Sequence, residues 1–157
     1  VSQTLTLKLK PYLQEFLICK LADEASVASS KNLIGAILGP LIEYAPKDYV
    51  FTKKSGPTHI TFKIPQNLNL KDNRGNIYIS NANQKNFERT LKLYFTEIFI
   101  AYVNDKIRFN NEIKKSILMF CTDYNISFTH ITYEMLKKKY YRFQTKKNKK
   151  YFPQNFP

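Results

Sequence analysis

The strongest constraint on the fold lies between Asn83 and Asp105. Phe87, Leu91, Tyr94, Ile98 and Tyr102 recur there at helical spacing, and Phe95, Phe99 and Val103 widen the stripe. This is the α-helical period, and its length predicts a long helix. An apolar band this broad exceeds what one contact surface needs, so the helix is expected to be covered on more than one side. A chain of 157 residues around such a helix suits one domain, with room for a small appended module. A domain of that size buries roughly 68–70% of the surface its unfolded chain exposes, enough for a real core.

The flanking segments are shorter. Thr4–Lys10 alternates apolar and polar residues, the pattern of a half-buried strand. Pro11 suits the first turn of a helix, and Tyr12, Leu13, Phe16, Leu17 and Leu21 give that helix one apolar face to about Asp23. Ala25–Ser30 reads as a connector whose Ser29 or Ser30 caps a second helix over Lys31–Tyr44. Gly39-Pro40 should kink that helix, because Pro40 removes one of its hydrogen bonds. Tyr49–Thr52 and Thr58–Ile64 flank Lys53–Pro57 and read as a β-hairpin. Gln66–Asn76 is a loop with a turn at Asp72–Gly75, and Asn76–Ser80 is a short strand. Asn110-Asn111 open a further helix that buries Ile113, Ile117, Phe120 and Tyr124. The expected class is α+β: a small, mainly antiparallel sheet packed by helices, a helical C-terminal element and a basic tail. The expected division is an α+β core over 1–110, the helical element over 111–145, and a flexible basic and aromatic tail over 146–157.

Charge is concentrated at that end. Lys137–Lys150 holds eight of the 25 Lys and Arg residues and no acid, whereas the rest of the chain carries 17 bases against 12 acids. Tyr140, Tyr141, Phe143, Tyr151, Phe152 and Phe156 lie among or beside those bases. Like charge this dense repels itself unless an anionic partner neutralises it, and a localised patch with interleaved rings points to nucleic acid. Only Arg74, Arg89, Arg108 and Arg142 are arginines. Lysine is a hydrated point charge suited to phosphate, so backbone binding is favoured over base readout. An AT-rich coding sequence accounts for lysine replacing arginine, but not for the clustering.

The residues 112–144 form a pattern. One helix ends near Tyr124-Asn125, where asparagine tolerates the left-handed cap conformation. Ile126 is an apolar anchor, and Ser127–Ile131 reads as a short helix. Thr132 is an N-cap, and the helix after it runs to about Gln144 with Leu136, Tyr140 and Phe143 on one face. Glu134, Lys137, Lys138, Tyr141 and Thr145 take the opposite face, with Arg142 beside them. This arrangement resembles a helix-turn-helix DNA-binding element with Thr132–Gln144 as recognition helix, as in small basic proteins of bacterial mobile elements. It departs from that element in having Asn125 where the turn usually has glycine. The resemblance implies that Thr129, Thr132 and Tyr133 contact backbone or bases, that Lys137, Lys138 and Arg142 reach phosphates or guanine edges, and that Tyr141 belongs to the same binding surface. It also implies that Lys146, Lys147, Lys149 and Lys150 form an arm along the phosphates or into a minor groove. The expected partner is nucleic acid, duplex DNA ahead of RNA, with a possible homodimer to match two half-sites. Two other readings stand beside it: RNA binding with stacked tyrosines, and a protein-interaction module whose basic tail docks on an acidic partner.

Other chemistry finds little support. Cys19, Cys121, His59 and His130 lack the paired spacing of a zinc site, and no cofactor or metal is expected. Carboxylates are scattered, and a tyrosine nucleophile would need an Arg/His cluster that the chain lacks. No phosphate-cradling glycine loop is present, so a non-enzymatic protein is expected. Two distant cysteines carry no disulfide framework, no apolar run approaches the ~18 residues of a membrane span, and the N-terminus lacks a signal h-region. A cytoplasmic or nucleoid-associated location without a membrane partner is the resulting expectation.

Overall fold

The computed structural model of the chain describes residues 3–21, 28, 31–50, 56–65 and 75–151. The expected capping serines Ser29 and Ser30, the hairpin residues 51–55, most of the loop over 66–74, and 152–157 lie outside the described residues. In chain order the elements are β1 (Gln3–Lys8), α1 (Pro11–Leu21), α2 (Leu33–Leu38), a 3-10 turn (Gly39–Leu41), β2 (Glu43–Tyr44), β3 (His59–Ile64), β4 (Ile77–Tyr78), α3 (Asn81–Arg108), α4 (Ile113–Asp123) and α5 (Tyr133–Tyr151). The class is α+β, with five α-helices and two small antiparallel sheets among the described residues. The chain divides into two compact units, Val1–Leu93 and Tyr94–Pro157. The division falls within α3 and not near residue 110.

In the first unit β1 pairs with β3, placing Leu5 opposite Phe62 and Leu7 opposite Ile60. Leu5, Leu7, Phe62 and Ile64 are buried, whereas Thr4, Lys8, Thr61 and Lys63 are exposed. That alternation is what a sheet with one covered face requires. On the other face the Thr6 and Thr61 hydroxyls meet at 2.8 Å, a cross-strand pair that favours this register. Among the described residues β3 takes β1 as its partner, and half of the strand expected over 49–52 lies outside them. Tyr49 and Val50 are not in a strand, and Val50 is 77% exposed. β1 offers the alternating apolar residues that match Phe62 and Ile64; the Tyr49–Val50 segment buries nothing comparable. Gly56, at φ +120°, makes the turn before β3, a conformation that disfavours any residue with a Cβ.

The second expected helix is shorter than its pattern. Asn32 caps α2, its Oδ1 accepting from the Gly35 amide at 2.9 Å. At Gly39-Pro40 the chain tightens into the 3-10 turn and then leaves helical geometry, so Glu43 and Tyr44 pair with Tyr78 and Ile77 as a strand. Ser80 caps α3 by accepting from the Asn83 amide at 3.3 Å. Phe87 and Leu91 of α3 join the first unit's core with Leu13, Phe16 and Leu17 of α1, and Phe62 meets Phe87 edge to face at 5.8 Å between centroids.

The second unit is helical. Its core is an aromatic cluster in which Phe120 of α4 touches four rings. Phe95, Phe99 and Tyr102 of α3 stand at 5.7, 5.0 and 5.4 Å, each near edge-to-face, and Tyr124 at 4.6 Å. Such pairs add about 0.5–1.5 kcal/mol each beyond burial. The buried line of α3 is Phe87, Leu91, Phe95, Phe99 and Val103, with Ile100 beside it. Tyr94, Ile98 and Tyr102 sit at its half-buried margins, the reverse of their expected weights.

Candidate nucleic-acid interface

The site is carried by α5, and its geometry begins with the turn before it. Asn125 has φ +51° and follows the last turn of α4. The Ile126 amide donates to the Cys121 carbonyl at 2.8 Å and the Asn125 amide to the Thr122 carbonyl at 3.2 Å. These are the two bonds of a Schellman ending, with asparagine doing what glycine usually does. The same device closes α3, where Asn110 has φ +62° and the Asn111 and Asn110 amides reach the Lys106 and Ile107 carbonyls. Ile126 and Ile131 are buried and tether the connector. Ser127–Ile131 is a hydrogen-bonded turn and not the short helix expected; the His130 amide donates to the Ser127 carbonyl at 3.1 Å. Residues 124–132 thus separate α4 from α5, whereas a helix-turn-helix joins its helices through about three or four residues.

Thr132 caps α5, its Oγ1 accepting from the Met135 amide at 3.3 Å, and Glu134 stands in the first turn, favourably placed against the helix dipole. The helix runs to Tyr151, seven residues past the expected end at Gln144. No glycine or proline occurs between 133 and 151, lysine is a good helix former, and cations at a helix C-terminus complement its dipole. Residues 146–151, expected as flexible tail, are helical.

Leu136 and Tyr140 are the buried anchors of α5. The Tyr140 hydroxyl donates to Asn104 Oδ1 of α3 at 2.7 Å and accepts from Gln144 Nε2 at 3.2 Å. Burial raises the Tyr140 phenol above its usual pKa; the Gln144 donation opposes this and the neighbouring Tyr141 adds to it. Lys139 also turns to α3, its Nζ donating to Thr96 Oγ1 at 3.2 Å. Two outward ridges run beside this buried side, each of residues four apart. One is Tyr133, Lys137, Tyr141 and Thr145. The other is Glu134, Lys138, Arg142 and Lys146. All but Tyr133 line one open surface depression. Lys138, Tyr141, Arg142 and Lys146 are exposed, and Lys137 Nζ lies 5.8 Å from the Tyr133 ring centre, a cation–π contact.

Six of the expected site residues therefore share one side of α5: Tyr133, Lys137, Lys138, Tyr141, Arg142 and Lys146. Thr129 and Thr132 are exposed, but Thr132 is occupied as the cap, and the Thr129 hydroxyl pairs with that of Ser127 at 2.7 Å. Lys147 is exposed but follows Phe143 by four and Tyr140 by seven, which places it off the ridges. Lys149 and Lys150 belong to the helix, and their side chains lie outside the described residues. A feature not foreseen is a second basic strip on α3, with Lys85, Arg89 and Lys92 exposed at helical spacing and Glu88 among them. Its spacing was visible, but dispersed charge does not draw notice as a run does. Among the described residues no group of three His, Cys, Asp or Glu side chains stands where it could hold a metal. No helix among them is long and apolar enough to cross a membrane.

Comparison with protein-family models, curated proteins and solved structures finds no match.

Proposed function

We propose that this chain is a non-enzymatic nucleic-acid-binding protein that holds the phosphate backbone against the outer side of α5. The observation that carries the reading is the alignment of Lys138, Arg142 and Lys146 on one ridge, with Lys137 on the next, on a helix anchored by Leu136 and Tyr140. Three cations spaced four residues apart extend over ~12 Å of helix, and a polymer of phosphates answers that geometry better than a single small anion. Duplex DNA is the partner that the sequence favours. The nine-residue connector moves the weight of the reading from a helix-turn-helix geometry to the α5 surface itself. The role proposed with it is that of a regulator or accessory factor in replication or mobilisation of a mobile element, resting on small size and a basic C-terminus.

The test is salt dependence. Four phosphate contacts give log K against log[salt] a slope of about −3.6 on duplex DNA. A slope shallower than about −1 in a titration of the full chain would refute the reading. A protein-interaction role is the second reading, favoured by Phe109, Phe128 and Met135, which are 72%, 44% and 55% exposed in the second unit. It predicts a stable complex or homo-oligomer with no salt-sensitive DNA binding.

A further inference from the structure

The two ridges of α5 differ in chemistry. The first alternates ring and polar residue: Tyr133, Lys137, Tyr141, Thr145. The second is cationic after Glu134: Lys138, Arg142, Lys146. Both line the same depression apart from Tyr133. Tyr141 is 45% exposed although it is a large aromatic residue. Its ring is held from behind by the buried Tyr140, edge-on at 6.2 Å between centroids and 69° between planes. Tyr140 is itself fixed by Asn104 and Gln144. Tyr141 is thus an exposed aromatic surface on a rigid support, one helix ridge away from a row of cations. Its alternative role as core is closed by its exposure.

A duplex turns its phosphates outward and keeps its bases paired inside, so it has a use for the cationic ridge and none for the ring. A single strand presents phosphates and unpaired bases side by side, and each base has a face that stacks on an aromatic ring. We propose that α5 binds nucleic acid as a single strand, its phosphates along Lys138, Arg142 and Lys146 and a base stacked on Tyr141. This rests on the nucleic-acid reading above and replaces duplex DNA as the preferred partner. The shared chemistry, an unpaired nucleobase on a phosphate backbone, is offered by single-stranded DNA and RNA alike.

The experiment measures affinities of the full chain and its Tyr141→Leu and Tyr141→Phe variants by fluorescence anisotropy at one fixed salt concentration. The probes are oligothymidine, oligouridine, a duplex of matching length, and a strand of equal phosphate count with its bases removed. Wild type should bind both single strands more tightly than the duplex or the base-free strand. Tyr141→Leu should lose about 5- to 100-fold on the single strands and change little on the other two. Tyr141→Phe keeps the ring and should stay near wild type. The ratio of oligothymidine to oligouridine affinity then separates the DNA source from the RNA source. Equal loss on all four probes, or no loss on the single strands, overturns the stacking proposal and leaves the phosphate reading standing. Absence of binding to every probe overturns both.

Discussion

Removing the Tyr140 hydroxyl isolates what anchors α5 from what α5 presents. In Tyr140→Phe the ring stays in its buried position, 2% exposed in the native chain, and only the oxygen is lost. That oxygen makes two hydrogen bonds, to Asn104 Oδ1 at 2.7 Å and from Gln144 Nε2 at 3.2 Å. A net hydrogen bond contributes about 0.5–1.5 kcal/mol, and a buried acceptor left unpaired costs about 1–3 kcal/mol. Asn104 is half-buried, so water relieves part of its loss, and the total expected for Tyr140→Phe is roughly 1.5–2.5 kcal/mol. Asn104→Leu alone should cost about 1 kcal/mol, since Gln144 still serves the hydroxyl. The double variant removes donor and acceptor together, and should be less destabilised than the sum of the singles by about 1 kcal/mol. Urea unfolding followed by far-UV circular dichroism measures this, provided that the dependence on urea is unchanged among variants. A Tyr140→Phe protein within about 0.3 kcal/mol of wild type, or strict additivity in the cycle, would refute the anchoring role.

Asn125 bears a left-handed backbone at φ +51°, so Asn125→Gly should raise stability by about 0.5–1 kcal/mol and Asn125→Val lower it by about 1–2 kcal/mol in the same urea assay; equal stabilities would remove the cap from the account. Four phenols are raised by the fold, Tyr78 beside Glu43 among them, and burial is the first cause in each. Tyr12 is pushed up to about 12, with the Glu88 charge adding; Tyr102 and Tyr140 are also raised, Tyr102 with help from the Asp123 carboxylate that accepts its hydroxyl. The folded chain therefore keeps protons that the unfolded chain releases near pH ~10. Stability from these groups is fully present below that pH and declines as pH rises toward 12 and beyond. Phenolate absorbance should show these four lagging the other tyrosines in the native protein and joining them in denaturant. A single native transition at the ordinary phenol pKa for all 11 tyrosines would contradict it.

Local patterns were readable and non-local pairings were not. α3 and α4 announce themselves through spacing, and Asn125 through the known tolerance of asparagine for a left-handed cap. The β1–β3 pairing joins residues 55 apart at Thr6 and Thr61, and no local signal names that partner, so nearness in sequence favoured a hairpin. Within α3 the error was one of weighting. Tyr94 and Tyr102 match the helical period as well as Phe95 and Phe99, yet a tyrosine needs somewhere to put its hydroxyl. Tyr102 therefore lies at the margin, where it reaches Asp123, and the phenylalanines fill the centre.

The surface of α5 follows from the same logic applied to one helix. A clustered charge is a property of adjacent residues and is visible at once; its direction is decided by what the helix buries. Thr132, Leu136, Tyr140 and Gln144 form a row four residues apart, and the burial of Leu136 and Tyr140 sets its side. The residues one and two places after each member must then face outward, and these are the two ridges. Of the residues three places after, Met135 stays exposed, but Lys139 turns back to α3, reaches Thr96 and leaves the basic face despite belonging to the same run. A four-residue row also drifts by ~40° per step against the 3.6-residue turn, so by Lys147 that third row has come round to the line of Tyr140 and Phe143. Rearranging the same lysines and tyrosines within Lys137–Lys150 would preserve the net charge of +13 and the composition. It would nonetheless break the pairing of an aromatic ridge with a cationic one, and the proposed strand binding rests on this pairing and not on the charge total.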